Sequence, residues 1–358
     1  MIGLFIAGLG NIGAALVEFL GRTAGIGSVV LADPDVFTGP NLVSQFVPAP
    51  ASAIGRPKVE AIARRLSELN PLPRVTQYAC GLEHVPRGQF RGRIVITGCD
   101  TRLARARMNE IAAATGVKLW LDLGVRGADA LARCTISWPS IPGAAAVCCG
   151  WSDRDWELLA ADISCASGSA APSRSTAYLG AAAAALGVRA LEDYMASDLA
   201  PDVNAHSRLL CLRPHRAWTS VIRPNPRCRL LHAAWDIAPL GRGAAECHLR
   251  ELSGEGTLAV PGMPWARRLR CLGCGEEREC LRVAARLRTR DLTCPGCGGR
   301  MTCGPLDQTD EFDLSAHEVA GSEASALALA DLGVLEGDIV RLSGARHLEV
   351  GASARQGG

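Results

Sequence analysis

The chain has 358 residues, a formal net charge of +2 at pH 7 and 48% hydrophobic residues. This length exceeds that of a usual single hydrophobic core, so we expect two or three domains. The small net charge argues against a nucleic-acid partner, and we find no segment long and uncharged enough to span a membrane. The 15 cysteines, several at metal-binding spacing and without a recognisable signal peptide, favour metal-bound thiols in a reducing cytoplasm.

The first motif is a glycine-rich turn after an apolar segment. Residues 4–8 read Leu-Phe-Ile-Ala-Gly and predict a buried strand, and a predicted helix over 11–20 follows. Such a turn lets the backbone approach a phosphate at a helix N-terminus. Asp33 ends the next predicted strand, at about the 20-residue spacing where a carboxylate binds a ribose hydroxyl. This pattern alone also fits a nicotinamide dehydrogenase or an ordinary strand-to-helix turn.

The next segment favours ATP over NAD. Asp33 and Asp35 lie at a strand end, an Asn41-Leu-Val-Ser-Gln45 loop follows, and Lys58 begins a predicted helix over 58–69. A dehydrogenase needs no lysine there, whereas a compact cation neutralises phosphate charge as pyrophosphate leaves a nucleoside triphosphate. We therefore predict an ATP site.

A further strand end adds a carboxylate. Residues 94–99 predict an apolar strand, and Asp100 follows it, just before a predicted helix over 102–114. A carboxylate at the C-terminal end of a parallel strand faces the ligand crevice, where it can hold Mg²⁺ against phosphates. The alternative is that Asp100 only caps the helix. Its occurrence in series with Asp33 and Lys58 favours the magnesium role.

These motifs, together with Gly55-Arg-Pro-Lys58, Arg105 and Asp122-Leu-Gly, resemble the ThiF/MoeB adenylyltransferases, relatives of the ubiquitin-activating enzymes, over residues 1–235. The resemblance implies an α/β fold with a Rossmann-like, mostly parallel sheet flanked by helices, in a homodimer. It also implies ATP-dependent adenylation of the C-terminal carboxylate of a ubiquitin-like or sulfur-carrier protein with a Gly-Gly-type end, followed by transfer to a conjugating partner.

The resemblance also assigns roles to single residues. Asp33 would hold the ribose, Lys58 the phosphates and Asp100 the Mg²⁺. The implied nucleotide site comprises Gly8, Gly10, Asn11, Gly13, Asp33, Asp35, Asn41, Gln45, Lys58 and Asp100. The implied catalytic residues are Lys58, Asp100, Arg105 and Cys165.

Two departures from the family pattern concern positive charge. The family loop normally reads Asn-Leu-x-Arg-Gln, but Ser44 stands in place of the arginine. The sequence also begins directly at the first predicted strand, without the N-terminal arm that usually carries a basic residue to the partner subunit. We expect either that other arginines supply these charges or that catalysis is weaker. The candidates are Arg22, Arg56, Arg102 and Arg105.

Cys165 is the candidate acceptor of the activated carboxylate. It lies in an Ile-Ser-Cys-Ala-Ser-Gly segment before a predicted helix over 176–196, and its place resembles the family's Thr-Cys-x-x-Gly segment. A loop that leads into a helix N-terminus lowers a thiol pKa, and the thiolate is the nucleophile that this step needs. The alternative is an inert cysteine.

Two groups of residues are candidate metal ligands. Cys271, Cys274, Cys294 and Cys297 form two Cys-x-x-Cys-Gly knuckles with 19 residues between them, which predicts a structural zinc ribbon. Within the adenylation domain the family often carries two Cys-x-x-Cys pairs. Here they correspond to Cys149, with its neighbour Cys148, and to Cys228 with His232, which form either a second zinc site or a degenerate, empty one.

The boundaries follow changes in these patterns. We predict an adenylation domain over 1–235, connecting strands over 236–265, the zinc ribbon over 266–303 and a small α+β tail, β-grasp-like in part, over 304–358. The chain ends in Gly357-Gly358, either a flexible terminus or the end of a built-in carrier. Three alternative functions stay open: a peptide-modifying adenylyltransferase, a nicotinamide oxidoreductase and a non-catalytic nucleotide-binding scaffold.

Overall fold

The computed structural model describes residues 1–46, 48, 50–164, 176–230, 232–314, 323–343 and 346–351. The chain divides into two compact units. The first comprises Met1–Val85 and Gln89–Trp235, and the second comprises Pro86–Gly88 and Asp236–Gly358.

The first unit alternates strands and helices. Its strands are β1 (Ile2–Ala7), β2 (Ile26–Ala32), β3 (Arg74–Tyr78), β4 (Ile94–Thr97), β5 (Leu119–Arg126), β6 (Leu131–Ser137), β7 (Ala205–Leu212) and β8 (His215–Ile222). Its helices are α1 (Asn11–Leu20), α2 (Pro50–Ala53), α3 (Lys58–Leu69), α4 (Arg102–Thr115), α5 (Asp153–Ser164) and α6 (Ala177–Met195).

The strands form one eight-stranded sheet in the order β3-β2-β1-β4-β5-β6-β7-β8. The five strands from β3 to β5 are parallel, and β6, β7 and β8 continue the sheet in antiparallel fashion. The prediction of a Rossmann-like, mostly parallel sheet flanked by helices is therefore confirmed. The C-terminal ends of β1, β2 and β4 lie side by side, which is where such sheets bind ligands.

Both faces of the central strands are buried, as the near-continuous apolar runs predict. Leu4 and Ile6 of β1 face one core, formed with α1, α3 and α6. Phe5 and Ala7 face the other, which includes α4 and the segment around Val147. Because successive strand residues point to opposite faces, each apolar pair supports both helical layers.

The second unit is built from short strands. They are β9 (Ile237–Pro239), β10 (Thr257–Ala259), β11 (Trp265–Cys271), β12 (Glu277–Val283), β13 (Met301–Thr302), β14 (Gln308–Thr309), β15 (Glu311–Asp313), β16 (Ile339–Leu342) and β17 (Arg346–Glu349). One sheet has the order β15-β10-β16-β17-β9, and β12, β11 and β13 form another, in which β14 also pairs with β11. The first sheet therefore joins strands from the predicted connection over 236–265 and the predicted tail over 304–358.

Among the described residues, no helix combines the length and hydrophobicity needed to cross a bilayer.

Candidate active site and metal centres

The turn between β1 and α1 requires its glycines. Gly8 has φ +83°, and a Cβ there would lie 2.9 Å from the carbonyl carbon of Gly98, at the end of the neighbouring strand β4. A Cβ on Gly13 would lie 2.2 Å from the carbonyl oxygen of Gly8. The glycines thus keep the backbone tight and leave room for a phosphate at the start of α1.

Asp33 fixes this turn from the end of β2. Its side chain accepts hydrogen bonds from the backbone N–H of Leu9 at 2.5 Å and of Asp35 at 2.8 Å. Asp33 is 4% exposed. Burial raises the pKa of its carboxyl above the ordinary 3.8, against the opposing charge of Lys58. The structure therefore places a buried carboxylate at the glycine turn, beside the predicted lysine.

Lys58 lies at the first position of α3 and is buried. Its Nζ donates to Asp35 Oδ2 at 2.8 Å, and its backbone N–H donates to the Asp35 carbonyl at 2.9 Å. The Asp35 side chain is 61% exposed, whereas the Lys58 side chain is 6% exposed. The cation is thus held in place by a carboxylate that solvent can reach, so a phosphate can replace that carboxylate as its partner.

Gln45 lies over the glycine turn with an unsatisfied group. A Cβ on Gly10 would lie 3.8 Å from Gln45 Nε2. Gln45 Oε1 is buried and has no hydrogen-bond partner within the described part of the chain. A buried carbonyl oxygen without a donor is unfavourable, and a ligand hydroxyl or amine would satisfy it.

The two predicted asparagines are already engaged by the protein. Asn11 Nδ2 donates to the carbonyl of Thr176 at 2.8 Å, which ties α1 to the segment before α6. Asn41 Oδ1 accepts from the backbone N–H of Thr38 at 2.8 Å and so caps a short 3₁₀ helix over Gly39–Val43. Both hydrogen bonds shape the backbone around the turn.

Asp100 is exposed beyond the end of β4, two residues after Gly98. Thr101, not Asp100, caps α4, because its Oγ1 accepts the backbone N–H of Ala104 at 3.1 Å. The capping alternative therefore does not account for Asp100. Its carboxylate lies on the segment next to the glycine turn and is open to a cation.

Arg105 and Arg133 share one buried carboxylate. Arg105 Nε lies 3.2 Å from Asp122 Oδ1, and Arg133 Nη2 lies 2.7 Å from Asp122 Oδ2. The Asp122 side chain is fully buried and also accepts from Thr97 Oγ1 at 3.0 Å. Two guanidinium groups against one carboxylate leave a surplus positive charge. Sequence reasoning missed Arg133, because its pairing with Asp122 depends on how β6 aligns with β5.

The other arginines proposed to replace the family's missing charges differ in availability. Arg22 is hydrogen-bonded to Glu18, and Arg102 is paired with Asp155 at 2.9 Å. Arg56 is exposed, and its side chain contacts no carboxylate in the described residues. Arg56 is therefore the candidate that is exposed and without an ion pair among the described residues, while Arg105 shares Asp122 with a second arginine.

One cluster of metal-ligand side chains lies in the first unit, and its members are Cys148, Cys149, Cys228 and His232, with ligand atoms within 4.8 Å of one another. Cys148 Sγ lies 3.8 Å from His232 Nε2 and 3.2 Å from Cys228 Sγ, and Cys149 Sγ lies 3.7 Å from the same nitrogen. A tetrahedral zinc ion with Zn–S bonds of about 2.3 Å requires ligand separations of about 3.8 Å. The cluster therefore fits one metal ion, and Cys148 joins the three predicted ligands.

The charge state of this cluster also suits a metal. Hydrogen bonds from Cys148 and His232 lower the pKa of the Cys149 thiol to about 3. Hydrogen bonds with Cys149 and Cys228 raise the pKa of His232 to about 9. A thiolate is the form of cysteine that binds metal, so an ion at this site would displace the proton on His232 and the thiol proton that Cys148 donates to Asn109.

The second cluster, in the second unit, is the predicted ribbon, and its members are Cys271, Cys274, Cys294 and Cys297, with sulfur atoms within 4.8 Å of one another. Paired sulfur atoms lie 3.5 and 3.7 Å apart. The backbone N–H groups of Gly273 and Gly299 donate to two of the sulfur atoms, at 3.3 and 3.4 Å. Such N–H donors stabilise metal-bound thiolates.

Cys165 lies outside the residues that the structure describes, and so do Gly357 and Gly358. Acyl transfer to Cys165 and a role for the terminal glycines therefore stay predictions.

The sheet order, the glycine turn and the acidic strand ends define a nucleotide-binding α/β domain. The model of the ThiF family matches residues 2–201, which is more than half of the sequence, and the chain belongs to that family. No curated protein matches the chain.

Solved structures of Escherichia coli MccB share the fold. MccB with succinimide superposes with a TM-score of 0.51 at 16% identity, over 64% of this chain and 66% of MccB. MccB with ATP gives a TM-score of 0.50 at 17% identity, over the same shares. The chain thus spans slightly less than two thirds of MccB. These superpositions show that the chain shares the MccB fold, in agreement with its ThiF-family domain.

Proposed function

We propose that the protein is an ATP-dependent adenylyltransferase that activates the C-terminal carboxylate of a ubiquitin-like or sulfur-carrier protein. The observation that carries this proposal is the buried Lys58 beside the glycine turn, held by Asp35 next to Asp33. The triphosphate of ATP carries more negative charge for this cation to neutralise than the diphosphate of a nicotinamide cofactor does. Family membership and the ATP-bound MccB neighbour support the same nucleotide.

The site fits ATP on its own geometry. The turn holds glycines where a Cβ would collide with the neighbouring backbone, so the chain stays tight at the start of α1. The buried Gln45 Oε1 has no donor among the described residues, and a nucleotide hydroxyl or amine can supply one. Asp33 keeps the turn in place and offers a carboxylate for the ribose. Mg²⁺, when bound at Asp100, would neutralise charge on the phosphates.

The proposed reaction follows from these positions. The carrier carboxylate oxygen attacks the α-phosphorus of ATP, the bond between that phosphorus and the bridging oxygen to the β-phosphate breaks, and pyrophosphate leaves. Lys58 donates to the phosphates and stabilises the growing charge on the leaving group. Arg105 and Arg133, with their surplus positive charge, hold the incoming carboxylate in line.

We also propose that both cysteine clusters hold zinc in a structural role, because protein atoms fill all four ligand positions of each. The separations of sulfur and nitrogen atoms support this assignment. A homodimer, a conjugating partner and a cytoplasmic location rest on the family resemblance and stay predictions.

The test is pyrophosphate exchange into ATP, catalysed by the full chain with Mg²⁺. The probes are a sulfur-carrier protein ending in Gly-Gly, the same protein with its C-terminus amidated, and a short peptide with a free C-terminus. Exchange that needs the free carboxylate of the carrier protein supports the proposal. Exchange with the peptide alone would replace the carrier by a peptide substrate. ATP binding without exchange in any mixture would favour a scaffold.

A further inference from the structure

A buried amide adjoins the metal-ligand cluster of the first unit. Asn109 lies on α4 and is 2% exposed. Its Oδ1 lies 3.1 Å from Cys148 Sγ, which donates to it. Its Nδ2 is also buried and has no hydrogen-bond partner in the described part of the chain. A buried amide that uses only its oxygen leaves two N–H groups unsatisfied, which is unfavourable.

Metal binding changes Cys148 from a hydrogen-bond donor to the Asn109 amide into an acceptor. A cysteine that coordinates a metal does so as a thiolate, which only accepts hydrogen bonds. Asn109 Oδ1 beside such a sulfur would be repelled, whereas an N–H group at the same place would donate to it. A half-turn of the side-chain amide about its last bond exchanges the oxygen and the nitrogen without moving α4. The same rotation gives the orphaned nitrogen a partner.

We propose that Asn109 is a positioning residue of the first-unit metal centre, donating from Nδ2 to the metal-bound Cys148 thiolate. This inference rests on the proposed zinc centre formed by Cys148, Cys149, Cys228 and His232. Three thiolates and one neutral imidazole on Zn²⁺ carry a net charge of −1 in a largely buried site. A neutral donor to the most buried of these sulfurs spreads that charge and fixes the side chain of Cys148.

Cys148 is the ligand that most needs a residue to fix its side chain, because its neighbour Cys149 is also in the cluster. Adjacent cysteines on one chain do not easily direct both sulfurs to one ion. Cys148 is 1% exposed and Cys149 is 9% exposed, so water is poorly placed to solvate the first sulfur. Asn109 is not one of the four ligands, approaches Cys148 from α4 and can hold the sulfur toward the ion.

The test uses the full chain with Asn109→Ala and with the near-isosteric Asn109→Asp, which removes the donor. Asn204→Ala is the matched control, since that amide donates to Asp202 at 3.1 Å and not to the cluster. Zinc affinity is measured by chelator competition. Cys149→Ser identifies which of the two binding steps belongs to the first-unit site. The Co²⁺-substituted proteins report the bond itself, because a hydrogen bond to a thiolate raises the energy of its sulfur-to-cobalt charge-transfer band.

We expect both Asn109 variants to bind zinc at the first-unit site about 10- to 100-fold more weakly, as is typical for outer hydrogen-bond partners of metal ligands. We also expect their charge-transfer band to move to longer wavelength, while Asn204→Ala matches the wild type. Wild-type affinity and an unmoved band in both variants would overturn the role of Asn109. If the wild type itself binds no metal at this site, the proposed zinc centre is wrong, and the role of Asn109 is overturned with it.

Discussion

Lys58→Met is the perturbation that most directly separates folding from nucleotide chemistry. Methionine keeps most of the apolar length of the side chain and removes the ammonium group. Because the Asp35 partner is 61% exposed, the lost ion pair contributes about 0–1 kcal/mol to the free energy of unfolding. The variant should therefore fold and melt close to the wild type.

Nucleotide binding should respond far more strongly. Hydrogen bonds between charged groups contribute about 1.5–3 kcal/mol, and about 1.4 kcal/mol corresponds to a tenfold change in Kd. We expect Lys58→Met to weaken ATP binding about 10- to 100-fold, as measured by calorimetric titration with Mg²⁺ present. Pyrophosphate exchange should fall by at least as much, because charge on the phosphates grows in the transition state.

The chain offers a matched control for this experiment. The chain contains two lysines, and the second is Lys118, which is exposed. Lys118 lies just before the N-terminal end of β5, whereas the glycine turn lies at the C-terminal ends of the parallel strands. Lys118→Met should leave ATP affinity unchanged. ATP affinity in Lys58→Met equal to that of the wild type, or equal losses in both variants, would refute the role given to Lys58.

Three further predictions follow from other parts of the molecule. Arg133→Met should raise the KM for the carrier about 10- to 100-fold at unchanged ATP affinity, because it removes one of the two arginines proposed to bind the carrier's C-terminal carboxylate. An unchanged KM for the carrier would contradict this role. Cys294→Ser should lower the zinc content, measured by metal analysis, from two ions per chain to one. An unchanged zinc content would refute the zinc ribbon. Hydrogen bonds from Arg65 lower the pKa of Glu18 below its ordinary 4.5, so this pair adds stability above that pH and loses it as pH falls through the lowered pKa. The gap in Tm between Glu18→Gln and wild type should accordingly narrow below pH 4.5, and a constant gap would contradict that origin.

Much of the parallel half of the sheet is predictable from local patterns. The predicted helices over 11–20 and 58–69 match α1 and α3, because an apolar strand, a glycine or proline and an amphipathic run each leave a local signal. The predicted helix over 102–114 is one residue shorter than α4, which ends at Thr115. Gly116 follows in a left-handed conformation, which ends the helix there.

The remaining features depend on contacts between distant residues. The Arg133–Asp122 pair exists because β6 aligns Arg133 with Gly124, two residues from Asp122 on β5, and no spacing in the sequence shows this alignment. In the second unit, β9 pairs with β17, more than 100 residues later in the chain. The approach of Asn109 to Cys148 likewise joins α4 to a separate short helix, and neither segment alone indicates it.

The central claim is that this fold binds ATP rather than a nicotinamide. Thermal-shift measurements on the wild type and on Asp100→Ala, with ATP and Mg²⁺, with NAD⁺ and with NADP⁺, test it directly, because a ligand that binds only the folded state raises Tm. We predict a rise in Tm with ATP and Mg²⁺ that Asp100→Ala reduces, and no rise with either nicotinamide. A rise with a nicotinamide alone would contradict the claim.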